Sequence, residues 1–444
     1  MMFIPGNEHL SQAGIRTICM LISFLVMLIT GPFRMMHTGL IYMGLMPVLG
    51  VAPTFNAALS GFGNPIIIFV IASFGLAAAF TSIPLAKRIL VALLRRFGKN
   101  VRSIMLAIMV SGGIISGLIA SVPTCVVFLA IALSFLELFD DPAEKRRSGR
   151  AFLIAVPVSV MIGSIMTPIS GAINLIALDK YQEFTGSTIP FIQWMALGIP
   201  VAVVAVPLAW WFIIKIHKPT EITRDMVEKF IVELNVPEKI TRPEINVLII
   251  TGVMMTLWVS SSWIDGINVM VVALLGVSVM CLPQLKTLDF DTFLNNIGWD
   301  PIFLSAAVLS LGDLMVSNGV SALITSLLPT LHVSTPILIA FSASLFFAML
   351  LVIPHGPTLV IIMAAPLMTL AINAGSSPAI LILVAAYCAN CSFLIPLDTV
   401  TLLSYYKGYY SIKDIFISSL PLQAFLVIVL ALWLGLMSRV IGFL

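Results

Sequence analysis

Charge is what this chain has least of. Asp, Glu, Lys and Arg make up 10% of its 444 residues, while 60% are hydrophobic. A soluble fold of this length needs roughly 25% charged residues to cover its surface. A water-soluble enzyme and a nucleic-acid binder are therefore excluded, and lipid is the solvent for most side chains. Cysteine is scarce as well. The five cysteines, Cys19, Cys125, Cys281, Cys388 and Cys391, lie in or at apolar segments, and Cys388 and Cys391 are spaced C-x-x-C. No second pair completes a metal site, so the pair reads as small packing residues in a membrane helix rather than as metal or redox chemistry. The first apolar run lacks a basic n-region and a small-residue cleavage site before and after it. It reads as a span and not as a removed signal.

What the chain does have is apolar runs of spanning length, one after another. That predicts an all-α polytopic membrane protein, since only helices satisfy their own backbone in lipid without closing a barrel. Two runs are odd in length. Residues 105–138 and 335–370 are too long for one span and too short for two with a connection. Each is broken in the middle by a Pro-Thr step, Ser121-Val122-Pro123-Thr124 in the first and His355-Gly356-Pro357-Thr358 in the second. The first run is basic at both mouths, with Lys99 and Arg102 before it and Lys145, Arg146, Arg147 and Arg150 after it. The positive-inside rule puts both mouths in the cytoplasm, which a re-entrant hairpin satisfies and a plain span does not. The flanks of the second, 331–335 and 373–378, carry no Lys or Arg.

Two further runs, 151–178 and 379–405, are interrupted by Gly163 to Gly171 and by Ile395 to Thr399. They read as spans with unwound centres. Residues 84–97 place Lys87, Arg88, Arg95 and Arg96 on one face and apolar residues on the other, the pattern of an interfacial helix. Asn64-Pro65, Pro123-Thr124 and Pro168 recur in order, and at nearly one spacing, as Asp300-Pro301, Pro357-Thr358 and Pro396. We therefore expect two inverted repeats, 1–214 and 245–444, joined by a cytoplasmic connector, 215–244, with a short surface helix around residues 224–234. The expected total is about ten spans plus two hairpins. With both termini outside, nearly all of the 23 Lys and Arg fall on the cytoplasmic side, Arg16, Lys180 and Arg439 excepted. Inverted repeats whose discontinuous helices meet at mid-membrane are the mark of a secondary transporter.

Several motifs together resemble the divalent anion:sodium symporters of the ion transporter superfamily, over most of the chain. They are Leu45 to Gly50, Phe62 to Ala79, Ser121 to Leu133, the loop from Ile162 to Asn174, Cys391 to Pro396, and above all Tyr405 to Asp414. The resemblance implies an elevator-type transporter that carries a small anion, such as a di- or tricarboxylate or sulfate, with Na+ as coupling ion and no other cofactor. It also implies a homodimer in the cytoplasmic membrane of a bacterium. The sequence departs from the family at the hairpin tips and in the second loop, and it has one N-terminal helix fewer than the family commonly has. The family's hairpin tips read Ser-Asn-Thr, with asparagines that help bind sodium and substrate, whereas neither tip here contains asparagine. The second loop has Asp398-Thr399-Val400-Thr401 in place of Pro-Pro-Asn.

A site of this kind needs no catalytic group. Free N–H groups and the positive dipole end of each half-helix suit an anion. The expected substrate-binding residues are Ser121, Pro123, Thr124, Thr167, Asn174, His355, Pro357, Thr358 and Thr399. For a single Ser or Thr the competing role is packing or bonding back to its own helix. Unwound backbone at Gly163, Ser164, Ala389 and Asn390, and the carboxyl of Asp398, are expected to serve cation or proton coupling. His355 and Asp398 either cap their half-helices or take part in coupling. Coupling to Na+ and to H+ both remain open. Other readings are a passive channel or a non-transporting receptor on the same scaffold, though no charged ring or filter repeat supports a channel. Leu311-Gly312-Asp313 raises an intramembrane aspartyl protease, but residue 310 is Ser and the chain has no Tyr-Asp. Asp313 reads better as a helix-contact or pathway residue.

Overall fold

The computed structural model describes residues 10–30, 32–98, 100–222, 224–264, 266–326 and 333–440. Lys99 at the first hairpin's mouth, Leu331 in the second hairpin's flank and most of the polar start lie outside the described residues. The described chain is helical throughout, without strands. Among the described residues, seven helices are long and apolar enough to cross a membrane, or eight if the bent pair Pro65–Thr81 and Leu85–Arg96 counts as one. Three of the seven are hairpin arms, Val101–Leu118, Thr335–Val352 and Gly356–Asn373. The expected count of spans is reached only by adding shorter helices such as Met35–Val48 and Val269–Met280, and the two broken spans.

The helices follow one order in each half. In the first, Gln12–Thr30 and Met35–Val48 lead to Pro65–Thr81, which opens with Asn64 accepting from the Ile66 N–H and with Pro65 at the first helical position. A 54° bend then turns the chain into the basic helix Leu85–Phe97. The hairpin follows as Val101–Leu118 and Ser121–Leu136. The broken span is Pro142–Gly163 and Ala172–Thr185, with a single 3-10 turn, Pro168–Ser170, between them, and Phe191–His217 closes the half. The connector carries Arg224–Glu233. The second half runs Arg242–Ser260, Val269–Met280, Trp299–Ser317, Val320–Ser326, the hairpin Thr335–Val352 and Gly356–Asn373, the broken span Pro378–Asn390 and Thr399–Tyr405, and Ile412–Val440.

Packing sorts these helices into two groups. One holds the leading helices of both halves: Met35–Val48 lies along Trp299–Ser317, and Pro65–Thr81 lies along Val269–Met280. The other holds the hairpins, broken spans and closing helices. There each hairpin's second arm meets a half-helix from the opposite half, Ser121–Leu136 against Thr399–Tyr405 and Gly356–Asn373 against Ala172–Thr185. Contacts within each group are denser than those between them.

The basic helix is less free than its amphipathic pattern suggests. The Arg88 guanidinium grips the fully buried Glu244 carboxylate with Nε at 2.9 Å and Nη2 at 3.2 Å, and it donates to the Pro237 and Lys239 carbonyls. Glu244 also closes the capping box of Arg242–Ser260 with Thr241. One bidentate pair thus ties the interfacial helix to the connector and to the start of the second half.

Candidate functional site

Four chain interruptions meet in the second helix group, and the two halves finish theirs differently. In the first half, Ser121–Leu136 begins after Ala120, which is extended and offers no side chain to the helix start. The Ser121 and Val122 N–H groups have no acceptor within the helix, and Pro123 has no N–H to satisfy. Ala172–Thr185 likewise begins after Gly171 without a capping side chain. Ala120 and Ile169, the latter in the 3-10 turn that precedes Ala172–Thr185, line one small cavity of about 10 Å³.

In the second half both starts are filled. His355 caps Gly356–Asn373, its Nδ1 accepting from the Thr358 hydroxyl at 2.7 Å and from the Thr358 N–H at 3.4 Å. Asp398 caps Thr399–Tyr405, its Oδ1 accepting from the Val400 N–H at 2.9 Å. Thr399 itself is exposed. A cavity of about 20 Å³ lies beside this cap, lined by Pro354, Ser392, Asp398 and Gln423 among others. The Ser392 hydroxyl there is buried and has no hydrogen-bond partner among the described residues. Such a volume holds about one water-sized body.

Asparagines join the broken spans. Asn174 Nδ2 donates to the carbonyls of Ser164 and Thr167, both at 2.9 Å, and lies 3.1 Å from Ser170 Oγ. Asn390 Nδ2 donates to Asn174 Oδ1 at 2.7 Å and to the Ala386 carbonyl at 2.8 Å, while Asn390 Oδ1 accepts from Ser164 Oγ at 3.0 Å. The Ser170 hydroxyl lies against the carbonyls of Ser164 and Thr167. Thr167 then reaches the first hairpin, donating to the Gly117 carbonyl at 2.7 Å. Backbone closeness makes this possible: a Cβ on Gly163 would lie 2.2 Å from the Gly113 carbonyl oxygen. At the other tip, a Cβ on Gly356 would lie 3.1 Å from the Ala389 carbonyl oxygen.

The expected residues therefore gather in one region but hold different posts. Ser121, Pro123, His355 and Pro357 are half-buried at the tips. Thr124 is buried and donates its hydroxyl back to Ala120 at 3.0 Å, the self-bonding role. Asn174, Asn390, Ser164 and Thr167 form the network that joins the interruptions. The carbonyls of Ser164 and Thr167 each accept from Asn174 and share the one hydroxyl proton of Ser170. Cys388 and Cys391 are buried and free, and no group of three His, Cys, Asp or Glu converges among the described residues.

Two features went unread in the sequence. Ser170 sits inside the motif yet only its neighbours drew notice. Lys180 showed up only as a misplaced positive charge. It is nearly buried on Ala172–Thr185 and pairs with Glu183 at 2.7 Å and with Asp313 of Trp299–Ser317 at 3.2 Å. Asp313 also accepts from Ser60 Oγ at 3.1 Å, and Asn64 donates to Asp179 at 3.3 Å. The Lys180–Asp313 and Asn64–Asp179 bonds cross between the two helix groups, while Ser60–Asp313 lies within the first.

An all-helical chain with broken spans, hairpins and bare helix ends in its interior is a polytopic membrane transporter. The family model described as citrate transporter matches residues 25–389, and the chain belongs to that family. Among curated relatives it is similar to the sodium-dependent dicarboxylate transporter SdcS of Staphylococcus saprophyticus, 22% identical over 90% of this chain and 80% of that one. The protein of the same name from Staphylococcus aureus is 22% identical over 84% of this chain and 75% of that one. Among solved structures, the YdaH transporter of Alcanivorax borkumensis shares the fold, with a TM-score of 0.55 at 14% identity over 87% of this chain and 86% of that one. These findings bear out the resemblance to the divalent anion:sodium symporters and set the protease reading aside. The chain is an integral multi-pass membrane protein and a transporter, not an enzyme.

Proposed function

We propose that the protein is a secondary active transporter of a di- or tricarboxylate, working by alternating access of its two inverted repeats and coupled to a cation. The observation that carries this is the contrast between halves. The two bare helix starts at Ser121 and Ala172 present N–H groups and positive dipole ends to an anion in a site without Lys or Arg. At the Asp398 start the chain's own carboxylate already occupies that place. A substrate carboxylate thus belongs with the first half's starts, and a cation with the cavity beside Asp398 and Ser392.

Na+ is the favoured coupling ion, because the relatives similar to this chain are named as sodium-dependent. A proton is the second reading. It is supported by the Asn174 bonds already held by the Ser164 and Thr167 carbonyls, by tips without asparagine, and by a carboxyl at Asp398. Elevator movement of the second helix group against the first fits the sparse contacts between them, and a homodimer is carried over from the family. In proteoliposomes, labelled citrate or succinate is expected to accumulate against its gradient when an inward Na+ gradient is imposed. Accumulation under a pH gradient alone favours the proton. Purely downhill flux insensitive to both gradients would mean a channel and defeat the proposal.

A further inference from the structure

A second site lies away from the tips, where Phe191–His217 leaves the bilayer. A cavity of about 500 Å³ opens there, lined by Arg102, Arg147, Trp210, Trp211, Lys215, Lys218 and their neighbours. Four cationic side chains face it against one carboxylate, Glu221, and the Arg102–Glu221 pair is 3.4 Å long with both side chains more than half exposed. Such a pair holds little energy in water. Arg147, Lys215 and Lys218 are exposed and have no ion pair among the described residues. The helix's own C-terminal dipole answers only about half a charge.

The walls are built rather than incidental. Trp210 Nε1 donates to the Arg102 carbonyl at 2.8 Å, which fixes the end of the long helix against the start of the first hairpin. The Lys215 ammonium lies 4.6 Å from the centre of the Trp211 ring. Lys218 ends the helix in the left-handed region at φ 46°, which turns the chain across the mouth. Val204, Pro207, Trp211 and Lys215 are all exposed at helical spacing. One stripe therefore runs from apolar through aromatic to basic, the order in which a helix meets acyl chains, the interface and headgroups.

We propose that this cavity binds the phosphate headgroup of an anionic phospholipid of the cytoplasmic leaflet, with its acyl chains along the Val204–Trp211 stripe. The shared chemistry is a phosphate anion. The apolar stripe leading into the cavity favours a lipid over a free anion, and basic pockets between helices on the cytoplasmic side suit such headgroups. The site is separate from the proposed transport site and does not depend on that reading.

The test reads lipid retention and not transport. The full chain is placed in phosphatidylcholine nanodiscs doped with phosphatidylglycerol, released, and its bound lipids are counted by native mass spectrometry. The expected result is selective retention of phosphatidylglycerol, falling about fivefold for each charge removed in Arg147→Gln and Lys218→Gln. The charge-matched variant Lys229→Gln with Lys239→Gln, on the connector, is expected to retain lipid as the unaltered chain does, and the melting temperature of each variant checks that it is folded. Equal retention in the folded pocket and connector variants overturns the proposal. So does displacement of the lipid by inorganic phosphate at equal concentration, which would assign the cavity to a free anion.

Discussion

At the scale of single residues, the most consequential side chain outside the transport site is Arg88. Its partner Glu244 is fully buried, so Arg88→Ala would strand a carboxylate. A loss of about 3–5 kcal/mol in stability is expected, read as a marked drop in melting temperature. A double change that also replaces Glu244 with Gln should restore part of it. Asn174→Ala removes a side chain that satisfies two loop carbonyls and Asn390. Each partner left buried and unpaired costs about 1–3 kcal/mol, and uptake should fall with stability. An Asn174→Ala protein that melts and transports like the unaltered chain would contradict the joining role given to this residue. The sequence singled out Asn174 and Asn390, but as ligands. Their bonding to each other across the two halves was not legible, because it depends on how two distant loops pack.

At the scale of elements, the helix breaks were legible and their finish was not. Pro-Thr and Gly-rich steps in over-long apolar runs mark where helices stop, since lipid allows a break only where the protein re-satisfies it. Whether a start is capped depends on one residue: Ala120 and Gly171 leave theirs bare, whereas His355 and Asp398 fill theirs. The close approach of Gly163 to Gly113 fixes the first hairpin on the first broken span. Gly163→Ala should cost about 1–3 kcal/mol, since the added methyl meets backbone and not a flexible side chain. The bonds from Lys180 to Asp313 and from Asn64 to Asp179 join the two helix groups. Lys180→Met should change the rate of exchange across the membrane more than the substrate affinity, as measured by counterflow at varied substrate. An effect confined to affinity would place Lys180 in the binding site instead. The sequence showed Lys180 only as an exception to charge asymmetry, because its partner lies far along the chain.

At the scale of the whole molecule, the membrane class and the order of helices followed from scarce charge, run length and the placement of basic residues. The two packing groups did not, because packing in lipid is set by small residues and polar contacts rather than by hydrophobic pattern. The proposed function is a division of labour: the first half's bare helix starts hold the carboxylate, and the cavity at Asp398 holds the driving cation. Asp398→Asn tests it most directly, because asparagine keeps the cap while removing the charge. In proteoliposomes loaded with substrate, the variant should exchange labelled carboxylate with the inside at a rate close to that of the unaltered chain. It should fail to accumulate the carboxylate against its gradient under either a Na+ or a pH gradient. Full accumulation by the Asp398→Asn variant would contradict the claim, and loss of exchange and accumulation together in a stably folded variant would place the substrate itself at Asp398.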